Sequence, residues 1–348
     1  MAPFVNGVSP ATATPLYWRL PVTEHTSGRT AGGAVAQSDA VRDALIGAVI
    51  DFLTGQDLLT QQDIRIALER EIASAGPGAL LDLRDRLRMD AGWGYYPPDP
   101  LSRRIHHLLA DRFLRADSIV IGLAHLNRVA AAPNAVIVAN HVSYADANVI
   151  DVLLQRTCGA AVANRLTALA GPKIFSDRRR RFSSLCFGTI KVPQSADVSS
   201  EEAVLTARDV ARAARQSIDA ALARLAAGDL LLLFGEGTRS RTAEMQRMLP
   251  GTARYLATPG TIVVPVGLAG AEHLFPIGDP TIHPARVVMT VGRPIGADGL
   301  FARTAGDRRL VMDAIGLAVA EVLPPEYRGA YRDADSCADA SKLLEDCR

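Results

Sequence analysis

The sequence predicts an α/β protein: a mostly parallel sheet covered by helices on both faces, preceded by a small N-terminal helical bundle. Two observations carry that expectation. Short, wholly apolar runs such as Leu230 to Phe234 and Ala135 to Ala139 are bounded by turn residues. They lack the alternation of half-exposed strands, so they read as strands buried on both sides. These runs also alternate with longer stretches whose apolar residues recur near every 3.6 positions, the grammar of strand–helix–strand units. A chain of 348 residues that is 48% hydrophobic and 22% charged has the length and composition for one large domain with a smaller companion.

The elements follow in order. Residues 1–37 are rich in Thr, Ala, Gly and Pro and lack a charged start followed by an apolar core, so they read as a flexible arm and not a signal peptide. A helical bundle is expected over 38–92. Ser38 is placed to cap a helix carrying Val41, Leu45, Val49, Phe52 and Leu53 on one face. Thr60 and Asp63 form a capping box before Ile64, Leu68 and Ile72, and a third amphipathic stretch runs from Leu80 to Met89. The GWGYYPPDP segment then breaks the pattern as a linker or fixed turn. The α/β domain is expected over 100–325. It starts with a helix at Leu101 to Leu114 and a strand at Ile119 to Leu123, and a helix at Ala145 to Gln155 follows the strand at Ala135. A short strand lies at Thr189 to Val192, and a long helix runs from Glu201 to Ala226. After the Leu230 strand come a helix at Leu249 to Ala257 and strands at Ile262 to Val266 and Val287 to Val291. A last helix from Asp307 to Val322 stops at Pro324 and Pro325, leaving 326–348 as a C-terminal tail.

Formal net charge is +1, which argues against a polyanion binder and against nucleic acid as a partner. Basic residues are nonetheless concentrated in two places. Lys173, Arg178 to Arg181 and Lys191 face only Asp177; Arg239, Arg241, Arg247 and Arg254 face only Glu244. Both are local anion-attracting zones. Cys158, Cys186, Cys337 and Cys347 have no zinc or redox spacing and read as reduced thiols of a cytoplasmic protein. No apolar run approaches the roughly 18 residues of a spanning helix. The expected location is therefore the cytoplasm, with attachment to the inner membrane face as the one peripheral option.

Two stretches carry chemistry. In VIVANHVSYADANVI, a buried strand ends in Asn140 and His141, and Asp146 opens the next helix. A histidine near its usual pKa of about 6.5 suits proton abstraction at neutral pH, and a carboxylate on its other nitrogen fixes the tautomer. The carboxyl end of a strand is also where open α/β sheets seat ligands. A structural reading stands beside this one: Ser143 and Asp146 match a capping box, with Asp146 on the positive end of the helix dipole. In LLLLFGEGTRSR, a buried strand enters Gly235, Glu236, Gly237, Thr238, Arg239, Ser240 and Arg241. Glycines allow close backbone approach and arginine forks match phosphate oxygens, although the segment is neither a P-loop nor a dinucleotide fingerprint. A surface turn with solvated arginines is the alternative. His106, His107, His273 and His283 have no ligand spacing and read as structural.

Taken together, Asn140-His141-x-Ser143-x-x-Asp146, Phe234-Gly235-Glu236-Gly237-Thr238-Arg239-Ser240 and Val264-Pro265-Val266 resemble the glycerolipid acyltransferase family, in order and spacing, over roughly Ile119 to Pro294. Gly235 stands where that family usually has proline. The resemblance implies that His141 is a general base oriented by Asp146. The acceptor hydroxyl would attack an acyl thioester, from acyl-CoA or acyl carrier protein, without an acyl-enzyme and without a cofactor. It further implies that Gly237, Thr238 and Arg239, helped by Arg241, hold the phosphate of a glycerol phosphate or lysophospholipid acceptor. Glu236 would bind an acceptor hydroxyl or brace the loop. One block departs from the family: Gly188-x-Ile190-x-Val192-x-Gln194 has glutamine where the family often has arginine. Lys191 and the Arg178 to Arg181 run are the nearby cations that would compensate, with Arg241 favoured. The same run also reads as a solvated helix face or a contact with anionic lipid headgroups. Two other readings stay open. One is an acyltransferase of the same fold acting on a non-phosphorylated alcohol or amine, which Gln194 favours. The other is a catalytically silent lipid-binding protein, which the intact His141 and Asp146 disfavour.

Overall fold

The computed structural model describes residues 31–348 except Phe52, Thr54, 90–91, Ala131, 194–205, Pro280 and 334–336. It divides the chain into two compact units, with the boundary between Arg84 and Asp85.

In the first unit a helix spans Ala31–Asp51. Residues 31–37, expected in the arm, are therefore helical, because nothing in Ala34 to Gln37 stops a helix upstream of Ser38. Residues 1–30 lie outside the described residues. A second helix, Leu58–Arg88, contains Gly76 at φ 78° followed by Pro77. That pair breaks it into the two amphipathic stretches expected separately. Its cap is Asp57 and not Thr60. The Asp57 carboxylate accepts from the Thr60 backbone N–H at 2.9 Å and from the Thr60 hydroxyl at 2.6 Å, moving the start three residues upstream. Within this unit Val41, Leu45, Val49, Ile64, Leu68, Ile72 and Leu80 are buried.

The second unit is built on a nine-stranded sheet. In chain order its strands are β1 Gly94–Tyr96, β2 Ile119–Ile121, β3 Ala135–Ala139, β4 Leu166–Ala170, β5 Gly188–Lys191, β6 Leu230–Phe234, β7 Ile262–Ala269, β8 Val288–Val291 and β9 Ile295–Gly296. The spatial order is β1-β5-β4-β6-β3-β7-β8-β2, with β9 also on β7. Strands β5, β4, β6, β3 and β7 run parallel. The sheet is mixed at its margins: β1 pairs antiparallel with β5, and β8 and β9 pair antiparallel with β7.

Every residue of β3 is buried, as the apolar run requires. Val136 and Val138 join one core with the helices Arg308–Glu321 and Ala338–Asp346. Ile137 and Leu232 point to the opposite face and are equally buried, so neither face of the central strands is left open to solvent.

Four expectations need correcting. The GWGYYPPDP segment is not only a turn, since its middle forms β1 on the sheet edge. Strand β2 is not buried: Ile119 and Ile121 are exposed at the other edge, with β8 as its sole neighbour in the sheet order. The predicted helix at 249–257 is a 3-10 segment, Pro250–Leu256. The tail is not loose. Ala340, Leu343 and Leu344 are buried, and the Tyr331 hydroxyl donates to Asp313 at 3.0 Å while accepting from the Met248 N–H at 2.9 Å. Gly316 makes that packing possible, because a Cβ there would lie 2.3 Å from the Tyr331 ring. Strand β4 and the short helices Pro172–Ser176 and Arg178–Ser184 lie between two expected elements and escaped the sequence pattern.

Candidate active site

Strands β4, β6 and β3 are neighbours, so the segments leaving their carboxyl ends converge. The end of β3 is pinned first. Buried Asn140 donates to the Leu268 carbonyl at 2.9 Å and accepts from the Leu268 N–H at 2.7 Å, replacing a ladder pair at the point where β3 leaves β7. The chain turns there and presents His141.

Asp146 Oδ2 accepts from His141 Nδ1 at 2.8 Å, from the Val142 N–H at 2.7 Å and from the Ser143 N–H at 2.9 Å. The carboxylate is fully buried, and the His141 side chain is 17% exposed. All three bonds run to one oxygen; Oδ1 is buried without a hydrogen-bond partner among the described residues. Only half of the capping box forms: Asp146 accepts from the Ser143 N–H, while the Ser143 hydroxyl accepts from the Ala145 N–H at 3.3 Å. Asp146 is the first residue of its helix, and its carboxylate reaches back to the turn instead of sharing a reciprocal cap with Ser143. Since Oδ2 accepts from Nδ1–H, the lone pair of His141 lies on Nε2. That nitrogen makes no hydrogen bond among the described residues. The imidazole stacks on Phe234, ring centroids 4.3 Å apart and planes 22° apart. The ring therefore has two restraints, a carboxylate at one edge and an aromatic face.

Glu236 is the second anchor. It is buried, with Oε1 accepting from the His141 N–H at 2.8 Å and Oε2 accepting from the Gln246 N–H at 2.7 Å. Of the two expected roles, these bonds support the brace: both oxygens tie the loop after β6 to the histidine turn. Burial pushes the carboxyl from its ordinary 4.5 up to about 7, opposed by those two N–H groups. The Ser240 N–H donates to the His141 carbonyl at 2.8 Å, a further link between the two motifs.

Gly237 sits at φ 73°, and a Cβ there would lie 2.3 Å from Leu249 Cδ1, so both conformation and space demand glycine. Thr238 and Arg241 are exposed. Arg239 is partly buried, its guanidinium 4.3 Å from the centroid of the Tyr144 ring. Lys191 lies elsewhere, its ammonium 4.8 Å from the Trp93 ring and 5.4 Å from the Phe175 ring, beside β1. Gln194 lies outside the described residues. Sequence reading missed Phe234 and Tyr144 as site residues. Phe234 looked like the last core residue of its strand, and an exposed Tyr144 gave no signal beyond its place inside the histidine motif.

His106 and His107 serve structural contacts. His107 bonds Asp151 at 2.8 Å, and Asp151 also pairs with Arg103, joining the helices Pro100–Phe113 and Asp146–Cys158. His106 is buried between the Ser102 carbonyl and Ser183, and burial lowers its pKa to about 4. Among the described residues no helix is long and apolar enough to cross a membrane.

A histidine at a parallel-strand end, its Nδ1 held by a buried carboxylate and its Nε2 without a hydrogen bond among the described residues, is an arrangement able to take a proton from a bound group. Comparison with known proteins is more specific. Residues 120–269, less than half of the chain, match the family model described as acyltransferase. A 1-acyl-sn-glycerol-3-phosphate acyltransferase of Chlamydomonas reinhardtii is 34% identical over 111 residues, 30% of this chain and 30% of that protein. The aligned part thus spans less than a third of that relative's length. The 1-acyl-sn-glycerophosphate (LPA) acyltransferase PlsC of Thermotoga maritima aligns over 81% of this chain and 97% of its own, at 18% identity and a TM-score of 0.40.

Proposed function

We propose that this chain is an O-acyltransferase. It moves a fatty acyl group from a thioester, acyl-CoA or acyl carrier protein, to the hydroxyl of a phosphate-bearing glycerol acceptor, lysophosphatidate or glycerol 3-phosphate. The observation that carries the reading is the 2.8 Å bond from His141 Nδ1 to the buried Asp146 carboxylate, which leaves Nε2 as a base. The acceptor oxygen attacks the thioester carbonyl while its proton passes to Nε2. The tetrahedral intermediate collapses with cleavage of the C–S bond, and the imidazolium returns the proton to the departing sulfur. The products are an ester and a free thiol, and no acyl-enzyme forms. Positioned base catalysis supplies roughly 10²–10⁴ in rate, about 3–5 kcal/mol of barrier. Alignment of the two bound substrates supplies much of the remainder. The match to a relative named for lysophosphatidate acylation supports the acceptor class.

The test is mass spectrometry of products after incubation with mixed acyl thioesters and a panel of phosphorylated and non-phosphorylated acceptors. A new ester on a phosphate-bearing acceptor is expected. His141→Ala should keep the fold and lose transfer, and Asp146→Asn should slow it by about two to four orders of magnitude. A His141→Ala protein retaining more than a tenth of the wild-type rate would remove the dyad from the mechanism. A wild type that acylates only alcohols or amines without phosphate would replace the acceptor assignment.

A further inference from the structure

One arrangement beside the dyad has no role in the proton transfer. Tyr144 projects from the histidine turn and is 40% exposed. Two guanidiniums lie over its ring, that of Arg239 at 4.3 Å from the centroid and that of Arg180 at 4.5 Å. Neither arginine has a carboxylate partner among the described residues. Arg180 makes a 3.5 Å contact from Nη1 to the Lys173 carbonyl, and its backbone N–H donates to the Asp177 cap at 3.0 Å. The three side chains come from different places: Arg180 from the helix Arg178–Ser184 beyond β4, Arg239 from the loop beyond β6 and Tyr144 from the turn beyond β3. Those strands are adjacent, so the sheet itself assembles the trio at its carboxyl edge.

Two like charges held on one ring repel each other. The negative face of the aromatic offsets part of that, and a shared anion would offset the rest. Because both lie close to one centroid, the two guanidinium carbons are within ~9 Å of each other. A phosphate seated at the edge of the ring would be within the span of both side chains, since guanidinium forks match phosphate oxygens in geometry. Arg241, the cation favoured from sequence, is exposed and has no contact among the described residues that aims it at Arg239.

We infer that Arg180 and Arg239, both held at the Tyr144 ring, form a two-pronged seat for the acceptor's phosphate, with Arg180 a specificity-determining residue. This rests on the acyltransferase reading above, and it assigns to Arg180 the charge that Gln194 withholds. Tyr144 is a positioning residue: its ring, not its hydroxyl, sets the separation of the forks.

The experiment is steady-state kinetics with a purified phosphate-bearing acceptor, lysophosphatidate, and with the matching monoacylglycerol. Arg180→Gln should raise the KM for lysophosphatidate about ten- to a hundred-fold, the loss of one charge-assisted contact. The thioester KM should move less than two-fold, and any monoacylglycerol activity should hold its KM. Arg180→Lys should fall between wild type and Arg180→Gln. Tyr144→Leu should raise the lysophosphatidate KM more than Tyr144→Phe does. If Arg239→Ala raises that KM while Arg180→Gln and Arg180→Lys leave it unchanged, the seat has one prong and the inference is wrong, with the acyltransferase reading intact. If wild type shows no preference for the phosphorylated acceptor, the broader reading fails first. Should Arg180→Gln misfold, Arg180→Lys decides, since a wild-type lysophosphatidate KM in that folded protein counts against a fork on phosphate.

Discussion

Glu236 is the residue whose surroundings say most about how the site is held. Its two oxygens accept from the His141 and Gln246 backbone N–H groups, so the negative form is bonded yet lies in a buried place that disfavours charge. Burial wins, and the carboxyl titrates near 7 against an ordinary 4.5. The folded state thus binds this proton more tightly than the unfolded chain. The associated stabilisation is complete below about pH 4.5 and is lost as pH rises through about 7. Denaturant unfolding of wild type and Glu236→Gln should therefore show a wild-type advantage that is larger at pH 5.5 than at pH 8. An advantage independent of pH would mean the carboxyl does not titrate in that window. At either pH the glutamine amide cannot accept from both N–H groups, so Glu236→Gln should cost about 1–3 kcal/mol. Gly237 is held as tightly by shape. Gly237→Ala combines a left-handed backbone with a methyl driven against Leu249, and should lower Tm and acceptor affinity together. Gly237→Ala with Leu249→Ala should recover only part of the loss, because the backbone strain remains.

Among the elements, β7 does two jobs. On one side it pairs with β3 along Ala135 to Ala139. On the other it pairs with β8 from Val266 onward and with β9 at Ile262 and Val263. Pro265 stands at the changeover. Gly292 donates to the Pro265 carbonyl at 2.8 Å, but proline has no N–H to return the bond, so the β8 ladder ends there. The chain crosses through Pro294 and re-pairs as β9. A proline inside an eight-residue buried strand would otherwise argue against the strand. Asn140 performs the matching task at the other end, tying β3 to Leu268 by two side-chain bonds. Asn140→Ala leaves a buried N–H and C=O on β7 without partners. It should cost about 1–3 kcal/mol per group and lower kcat by letting His141 drift, which thermal unfolding and single-turnover rates will read. Unchanged stability would mean that Leu268 finds other partners.

At the scale of the molecule, the C-terminal segment belongs to the core. Leu343, Leu344 and Tyr331 close the face of the sheet that carries Val136 and Leu233. A chain ending at Pro325 would expose that cluster and strip Tyr331 from Gly316 and Asp313. It should be recovered as aggregate or unfold without a cooperative transition in circular dichroism. If the shortened protein melts like the full chain, the last helix contributes no stability. In the N-terminal unit Val49, Leu53, Ile64 and Leu68 are fully buried.

The sequence by itself determined what is local. Buried strands were legible in runs such as AVIVA and LLLLF, because burial on two faces needs continuous apolar residues. His141 and Asp146 were legible because five residues of turn suffice to bring imidazole to carboxylate. Gly237 and Glu236 stood out beside them as chemistry following a strand. The tertiary structure alone decided what depends on distant pairing. It set the order β4-β6-β3, which brings Arg180 and Arg239 to one tyrosine. It placed Lys191 by Trp93, turned Glu236 into a brace, and drew the final helix into the core. Local periodicity records which face of an element is apolar. It does not record which neighbour covers that face, because strand pairing and packing are chosen by the summed burial of segments far apart in the chain.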